Sequence, residues 1–310
     1  MKKTLIILPY FGKFNNYFQL FLNSCGANPD FNFLIVTDDH DEYIYPENVK
    51  VVYMTLNELR VKVQSLFSEI SVSLETPYKL CDYKPAYGYI FSEYIKGYDY
   101  WGHCDNDLIF GNIKKFVNYS KLEKYDKLGV LGHLTIYKNT KNNNELFKSN
   151  DRYKTVFSSE QIFQFDEEFG DSINNIFREN GKKIYQFVDI ADLYVKTSNF
   201  KITNYQIKTN DYVTDKKARC FFIWDNGSLF RYEKSKKNLT KKEFLYIHIQ
   251  KRRMIINNKN MNIYKIIPNA FDDLEKDFFE GKYSKIKCKH FNLHYFRFRF
   301  KCLIKRLRRK

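Results

Sequence analysis

Asp105 and Asp107 are separated by one residue, and they close the run Tyr98-Asp99-Tyr100-Trp101-Gly102-His103-Cys104-Asp105-Asn106-Asp107. In an extended chain, side chains two apart point to the same face, so the two carboxylates are expected to face one site. Paired carboxylates suit a hard divalent cation, Mn²⁺ or Mg²⁺, shared with a diphosphate. Such an ion would neutralise charge building on a departing nucleoside diphosphate. Asp-Asn-Asp is also common in plain turns. What favours chemistry here is position: the acids follow an apolar, aromatic strand, where open α/β sheets bind their ligands.

The elements that must hold this pair can be read on both sides of it. Residues 4–9 form a short apolar run that ends at Pro9, followed by helical spacing over 14–25, a second apolar run over 31–37 and a third over 49–54. Thr55-Leu56-Asn57-Glu58 is a capping-box pattern, which predicts a helix to about Ile70. A further helix is expected over 78–95, started or interrupted by Pro85, then strands over 98–104 and 128–137. Alternation of strand and helix implies βαβ units and a mainly parallel sheet flanked by helices. After a short helix at 172–180 the pattern turns to strands. Asp225-Asn226-Gly227 marks a hairpin between 221–224 and 228–232, and further strands are expected at 244–249 and 262–267. No GxGxxG or GxxxxGK[ST] run is present, so neither a dinucleotide fingerprint nor a P-loop is indicated.

Over roughly residues 4–270 the chain resembles the GT-A glycosyltransferases, in particular bacterial enzymes of the capsule or lipopolysaccharide type. The resemblance lies in Asp105-Asn106-Asp107 as a DxD, and in Lys79-Leu80-Cys81-Asp82-Tyr83-Lys84-Pro85-Ala86-Tyr87-Gly88-Tyr89-Ile90-Phe91 ahead of it. Sugar transferases with an SDxxR helix before the DxD show a looser version; Asp82 matches their acid, and Pro85, beside Lys84, stands where their Arg would be. Leu8-Pro9-Tyr10-Phe11-Gly12 and Thr37-Asp38-Asp39 extend the likeness. The resemblance implies a GT-A-like domain over 1–270 that transfers a sugar from a nucleotide-sugar donor, most simply a UDP-sugar. It implies that Asp105 and Asp107 hold the metal, with Asp105 also on the diphosphate-ribose. Asp82 and Lys84 would serve the donor, and Tyr10 and Asp38 would border the nucleoside. By the same analogy His248 completes the metal shell and Lys251 binds phosphate. An inverting enzyme needs a carboxylate base, for which Asp189 and Asp192 are the candidates. Asp166-Glu167-Glu168 reads as a solvated turn, His103 as a core histidine, and His133 as a residue that could face an acceptor sugar.

Composition sets the remaining bounds. With 44% hydrophobic residues, 12 Gly and 6 Pro, the chain is neither disordered nor low-complexity. The Met1-Lys2-Lys3 start resembles a leader, but its apolar stretch is short and is broken at Pro9, so a first strand is expected. Six scattered cysteines form no CxxC pair, which suits a reduced, cytoplasmic protein. The net charge is +16, and residues 281–310 hold 12 Lys/Arg with no Asp or Glu; the rest of the chain is only +4. This basic extension, 271–310, mixes cations with aromatics and points to the anionic inner face of a membrane, where a lipid-linked or glycan acceptor would be met. Two rivals share some features. A basic, aromatic chain could bind single-stranded nucleic acid without being an enzyme, but the charge is confined to the tail and no RNA-binding motif is visible. A nucleotidyltransferase also uses metal-holding carboxylates, but needs a Gly-rich N-terminal loop that Gly12 alone does not supply.

Overall fold

The computed structural model describes residues 2–168, 171–215, 220–234, 239–250 and 252–307. Its chain divides into two compact units. The first comprises Met1–Asn15, Asn28–Asn106 and Val117–Phe187; the second comprises Asn16–Ala27, Asp107–Phe116 and Val188–Lys310.

The first unit is built on a seven-stranded sheet. Strands β1 (Thr4–Tyr10), β2 (Phe31–Thr37), β3 (Val49–Tyr53) and β4 (Tyr100–Cys104) lie in the order β3-β2-β1-β4, all parallel. β1, β2 and β4 are almost wholly buried, which is why their sequences are continuous apolar runs without alternation. Pro9 does not end β1, which runs on to Tyr10. The pairing of β1 with β4 stops at Ile7, so Pro9 costs no hydrogen bond on that flank. β5 (Leu108–Phe110) follows β4 in the chain and belongs to the second unit.

The expected strand at 128–137 is two strands. β6 (Lys127–Leu128) and β7 (Leu134–Lys138) pair antiparallel around a loop that opens at Gly129, where φ is +98°. β7 also runs antiparallel to β4, and β8 (Ile184–Tyr185) completes the sheet beside β6. The fold is therefore α/β with a mainly parallel sheet, as the strand–helix alternation predicts.

The helices show what local signals can and cannot fix. The capping box forms as read: Thr55 and Glu58 exchange bonds and the helix Leu56–Leu66 follows. It stops short of Ile70 because the Gln64 side chain takes over. Its amide donates to the carbonyls of Phe67 and Ile70, and its oxygen accepts from the Val72 amide. The helix expected over 78–95 is instead a chain of short turns: Pro77–Lys79, Leu80–Tyr83, Lys84–Ala86 and Tyr87–Ile90. Pro77 and Pro85 lack the N–H that a continuous helix would need. One turn is fixed by close approach, since a Cβ on Gly88 would lie 2.3 Å from the ring of Trp101. That indole donates to the Asn144 side chain at 2.7 Å and stacks on Tyr137.

The second unit holds two sheets. β9 (Ala191–Leu193), β10 (Ile202–Gln206), β11 (Asp211–Thr214) and β15 (Tyr246–His248) form one with β5, in the order β11-β10-β9-β15-β5. The other comprises β12 (Cys220–Asp225), β13 (Ser228–Lys234), β14 (Leu239–Phe244), β16 (Ile255–Ile256), β17 (Ile263–Ile267) and β18 (Ala270–Asp272). The hairpin read at Asn226-Gly227 is present, and both residues have positive φ, 45° and 89°. The helix expected over 14–25 appears as Phe18–Gly26, also in this unit. Residue 270 is the first of β18, which pairs with β17 and β16. Beyond it lie helices at Lys276–Phe279 and His294–Leu307.

Candidate active site

In the first unit the carboxyl ends of the parallel strands carry most of the polar candidates. After β1 and β2, the Asp38 carboxylate accepts from the Gly12 amide at 2.7 Å, and the Tyr10 hydroxyl donates to the Lys13 carbonyl. Lys13 is bonded to Asp39, which is buried, and to Asp41. Tyr10 and Asp38 thus stand at neighbouring strand ends, where a ligand of such a sheet is expected.

After β4 comes Asp105, and its partner is Lys84. The ammonium lies 2.8 Å from Asp105, 2.9 Å from Asp166 and 3.0 Å from the Gly132 carbonyl. Burial works against a charge on Lys84, but the two carboxylates outweigh it and hold the pKa well above its ordinary value. Burial pushes the Asp166 carboxyl up, and Lys84 offsets part of that push. Asp166 was expected in a solvated turn and is instead buried at 2% exposure. The cluster leaves no room at its floor, since a Cβ on Gly132 would lie 2.0 Å from Asp166 Oδ2.

Asp82 does not face a ligand in this structure. It is fully buried, bound to Lys79 at 2.8 Å, and accepts from the amides of Phe163 and Phe165. Lys79 in turn donates to the carbonyls of Val156 and Gln161. This pair ties the 156–165 segment to the turn at Leu80–Tyr83, and the expectation that Asp82 serves the donor is corrected accordingly. His103 is the core histidine it was read to be, buried between Tyr87 and Tyr137 and kept neutral by burial. His133 lies in the loop before β7, buried, and its carbonyl accepts from the Asp105 amide.

In the second unit, strand register assembles a different cluster. β15 runs parallel to β9 with His248 opposite Asp192, and antiparallel to β5 with His248 opposite Leu108. The Ile249 amide donates to the Asp107 carbonyl, so Asp107 is held at the head of β5. The result is a buried imidazole between two carboxylates: Nδ1 is 2.9 Å from Asp192 Oδ1, and Nε2 is 3.2 Å from Asp107 Oδ1. Asp192 also accepts from Gln250 at 2.6 Å and from the Thr203 hydroxyl at 2.8 Å. Burial disfavours a charged His248, yet Asp107 and Asp192 together raise its pKa well above the ordinary value.

This donor set fits a divalent ion. Two ligands of one ion, each ~2.1 Å from it and at a right angle, lie ~3 Å apart, close to the Asp107–His248 separation of 3.2 Å. A metal-binding histidine commonly donates its other ring N–H to a carboxylate, as His248 is placed to do toward Asp192. That geometry suits Asp192 to orienting His248 rather than to taking a proton from an acceptor sugar. Asp189 pairs with Lys242 at 3.0 Å on a partly exposed surface. Lys251 lies outside the described residues. Asp166, Thr203 and Gln250 were not legible as site residues, because none sits in a recognisable spacing; only the packing reveals them.

A family model covers residues 6–275 of this sequence. The chain belongs to the family of unknown function DUF6625. A search of curated proteins finds no match. Several solved structures are similar to this member of the family, and those described below are glycosyltransferases. Mouse xyloside xylosyltransferase 1, in its apo form, is 10% identical with a TM-score of 0.38, over 62% of this chain and 88% of that one. The galactosyltransferase LgtC, in complex with donor and acceptor sugar analogues, is 9% identical with a TM-score of 0.33, over 62% and 75%. The glycosyltransferase GlyE of Streptococcus pneumoniae TIGR4 is 10% identical with a TM-score of 0.31, over 61% and 45%.

Proposed function

We propose that this DUF6625 protein is a metal-dependent glycosyltransferase. It would move a sugar from a nucleotide-sugar donor, a UDP-sugar by preference, to a glycan or lipid-linked acceptor in surface polysaccharide synthesis. The observation that carries this reading is the His248 imidazole, aligned by Asp192 on one nitrogen and aimed at Asp107 with the other. Asp107 and His248 would hold the ion. An imidazole in the set favours Mn²⁺ over the oxygen-seeking Mg²⁺. When bound, the ion supplies charge neutralisation to a leaving diphosphate.

The chain's own residues do the rest. Lys84 fixes the Asp105 carboxylate beside a buried Asp166. Tyr10 and Asp38, at the ends of β1 and β2, would border the nucleoside. Asp192 keeps the His248 ring in the tautomer that leaves Nε2 as the ligand. The proton on the raised-pKa His248 and the ion compete for that nitrogen, so ion binding releases a proton. We place the reaction in the cytoplasm, against the inner face of the membrane.

A thermal-shift panel of nucleoside diphosphates and nucleotide sugars, with and without Mn²⁺, tests the reading on wild type, Asp107→Ala and His248→Ala. We expect one base to stabilise the wild type only with metal, and both variants to lose that response. If well-folded wild-type protein gives no shift with any nucleotide, the acidic triplet is a turn and the transferase reading fails.

A further inference from the structure

The helix His294–Leu307 carries an apolar stripe that nothing in the described residues covers. Phe296, Phe300, Leu303 and Leu307 follow at spacings of four, three and four, so they share one face. They are 66%, 62%, 52% and 64% exposed. A helix that belonged only to the protein core would bury such a stripe. The other face is the one that is held: His294 is bonded to the Val195 carbonyl at 2.7 Å, the Tyr295 amide donates to Ser198, and Phe298 is half-buried. The helix is thus anchored on its inner side and presents a second apolar side outward.

Charge selects the occupant. Arg297 and Arg299 are exposed on either side of the stripe, and residues 281–310 hold 12 Lys/Arg and no acid. Phe291, just before the helix, is 91% exposed. A protein partner for this face would need a dense acidic rim around an apolar groove. A bilayer with anionic headgroups offers both features at once, apolar depth beneath a negative surface. Among the described residues no helix is long and apolar enough to cross a membrane. We propose that this helix lies in the plane of an anionic membrane surface, with Phe296, Phe300, Leu303 and Leu307 inserted among the acyl chains and Arg297 and Arg299 at the headgroups.

Co-sedimentation of the full chain with vesicles tests this, using phosphatidylcholine alone and phosphatidylcholine with about a third phosphatidylglycerol. We expect binding to the anionic vesicles only, reversed by salt near ~1 M, where the screening length falls to about 3 Å. Phe296→Ser with Phe300→Ser should weaken binding by about tenfold or more, because inserted apolar area is lost. Arg297→Gln with Arg299→Gln should weaken it by a comparable factor, at about fivefold per cation. Both pairs alter exposed side chains, so the fold and the metal-dependent nucleotide response should survive, and failure of this proposal is distinct from failure of the transferase reading. Three results would overturn it: no binding of wild type to anionic vesicles, equal binding by the phenylalanine variant, or a wild-type dimer that the phenylalanine variant dissolves while neither form binds vesicles.

Discussion

In the first unit a lysine stands between two carboxylates, Asp105 and Asp166; in the second a histidine stands between Asp107 and Asp192. Each cluster takes one acid from the Asp105-Asn106-Asp107 run and a second, buried acid from far along the chain. The cations differ in what they can exchange. An ammonium has three donors and no acceptor, so Lys84 can only neutralise and position its acids. An imidazole can give up its proton and become a ligand. The comparison therefore separates a fixed ion pair that shapes the site from one whose proton can be replaced by a metal ion.

The largest effect expected from breaking that comparison is on stability, at Lys84. Lys84→Met leaves the buried Asp166 without its cation, and loss of one partner from a buried pair costs about 3–5 kcal/mol. The expected result in urea unfolding is a lower midpoint, partly recovered by adding Asp166→Asn. A loss below ~1 kcal/mol would mean that the first cluster is as exchangeable as the second.

An intermediate effect is expected at Asp192. Asp192→Asn keeps the shape but removes the charge behind His248, and such supporting residues change metal affinity by about 10–100-fold. Titration with Mn²⁺, read by the thermal shift with nucleotide present, should move by that factor while the unliganded melting point changes little. An unchanged Mn²⁺ midpoint would show that Asp192 is merely a packing partner of Thr203 and Gln250.

What was legible in the sequence is what depends on near neighbours. The continuous apolar runs of β1 and β2, the Thr55–Glu58 capping box and the Asn226-Gly227 turn are settled within a few residues, and each appears as read. Asp105 and Asp107 stood out for the same reason. Lys84, His248 and Asp192 were singled out as well, but which of them pair was not legible, because the Lys84–Asp166 and Asp192–His248 pairs are made by tertiary packing and by the register of β9 against β15. Asp82 shows the converse error. A sequence match placed it at a ligand, while the fold spends both of its oxygens on Lys79 and two backbone amides.

The smallest effect sharpens the comparison within the first unit, between two buried lysines. Lys84 has carboxylates at 2.8 and 2.9 Å, whereas Lys127 has a carbonyl, Gly129, at 2.5 Å and an amide oxygen, Asn174, at 2.7 Å. Neutral acceptors do not repay the burial of a charge, and burial brings the Lys127 pKa down from 10.5 to about 7, against the weaker pull of Glu168 and Asp166. Between those values the unfolded chain binds the proton that the folded chain lacks, so Lys127 makes stability rise with pH, by at most ~1.4 kcal/mol per pH unit. Lys84 has the opposite sign: its raised pKa makes its contribution full below the unfolded value and lost only as pH passes the folded one. Urea unfolding of wild type and Lys127→Met between pH 7.5 and 9.5 reads the difference. Wild type should gain stability relative to the variant as pH rises through this window, and parallel curves would show that Lys127 stays charged in the fold, as Lys84 does.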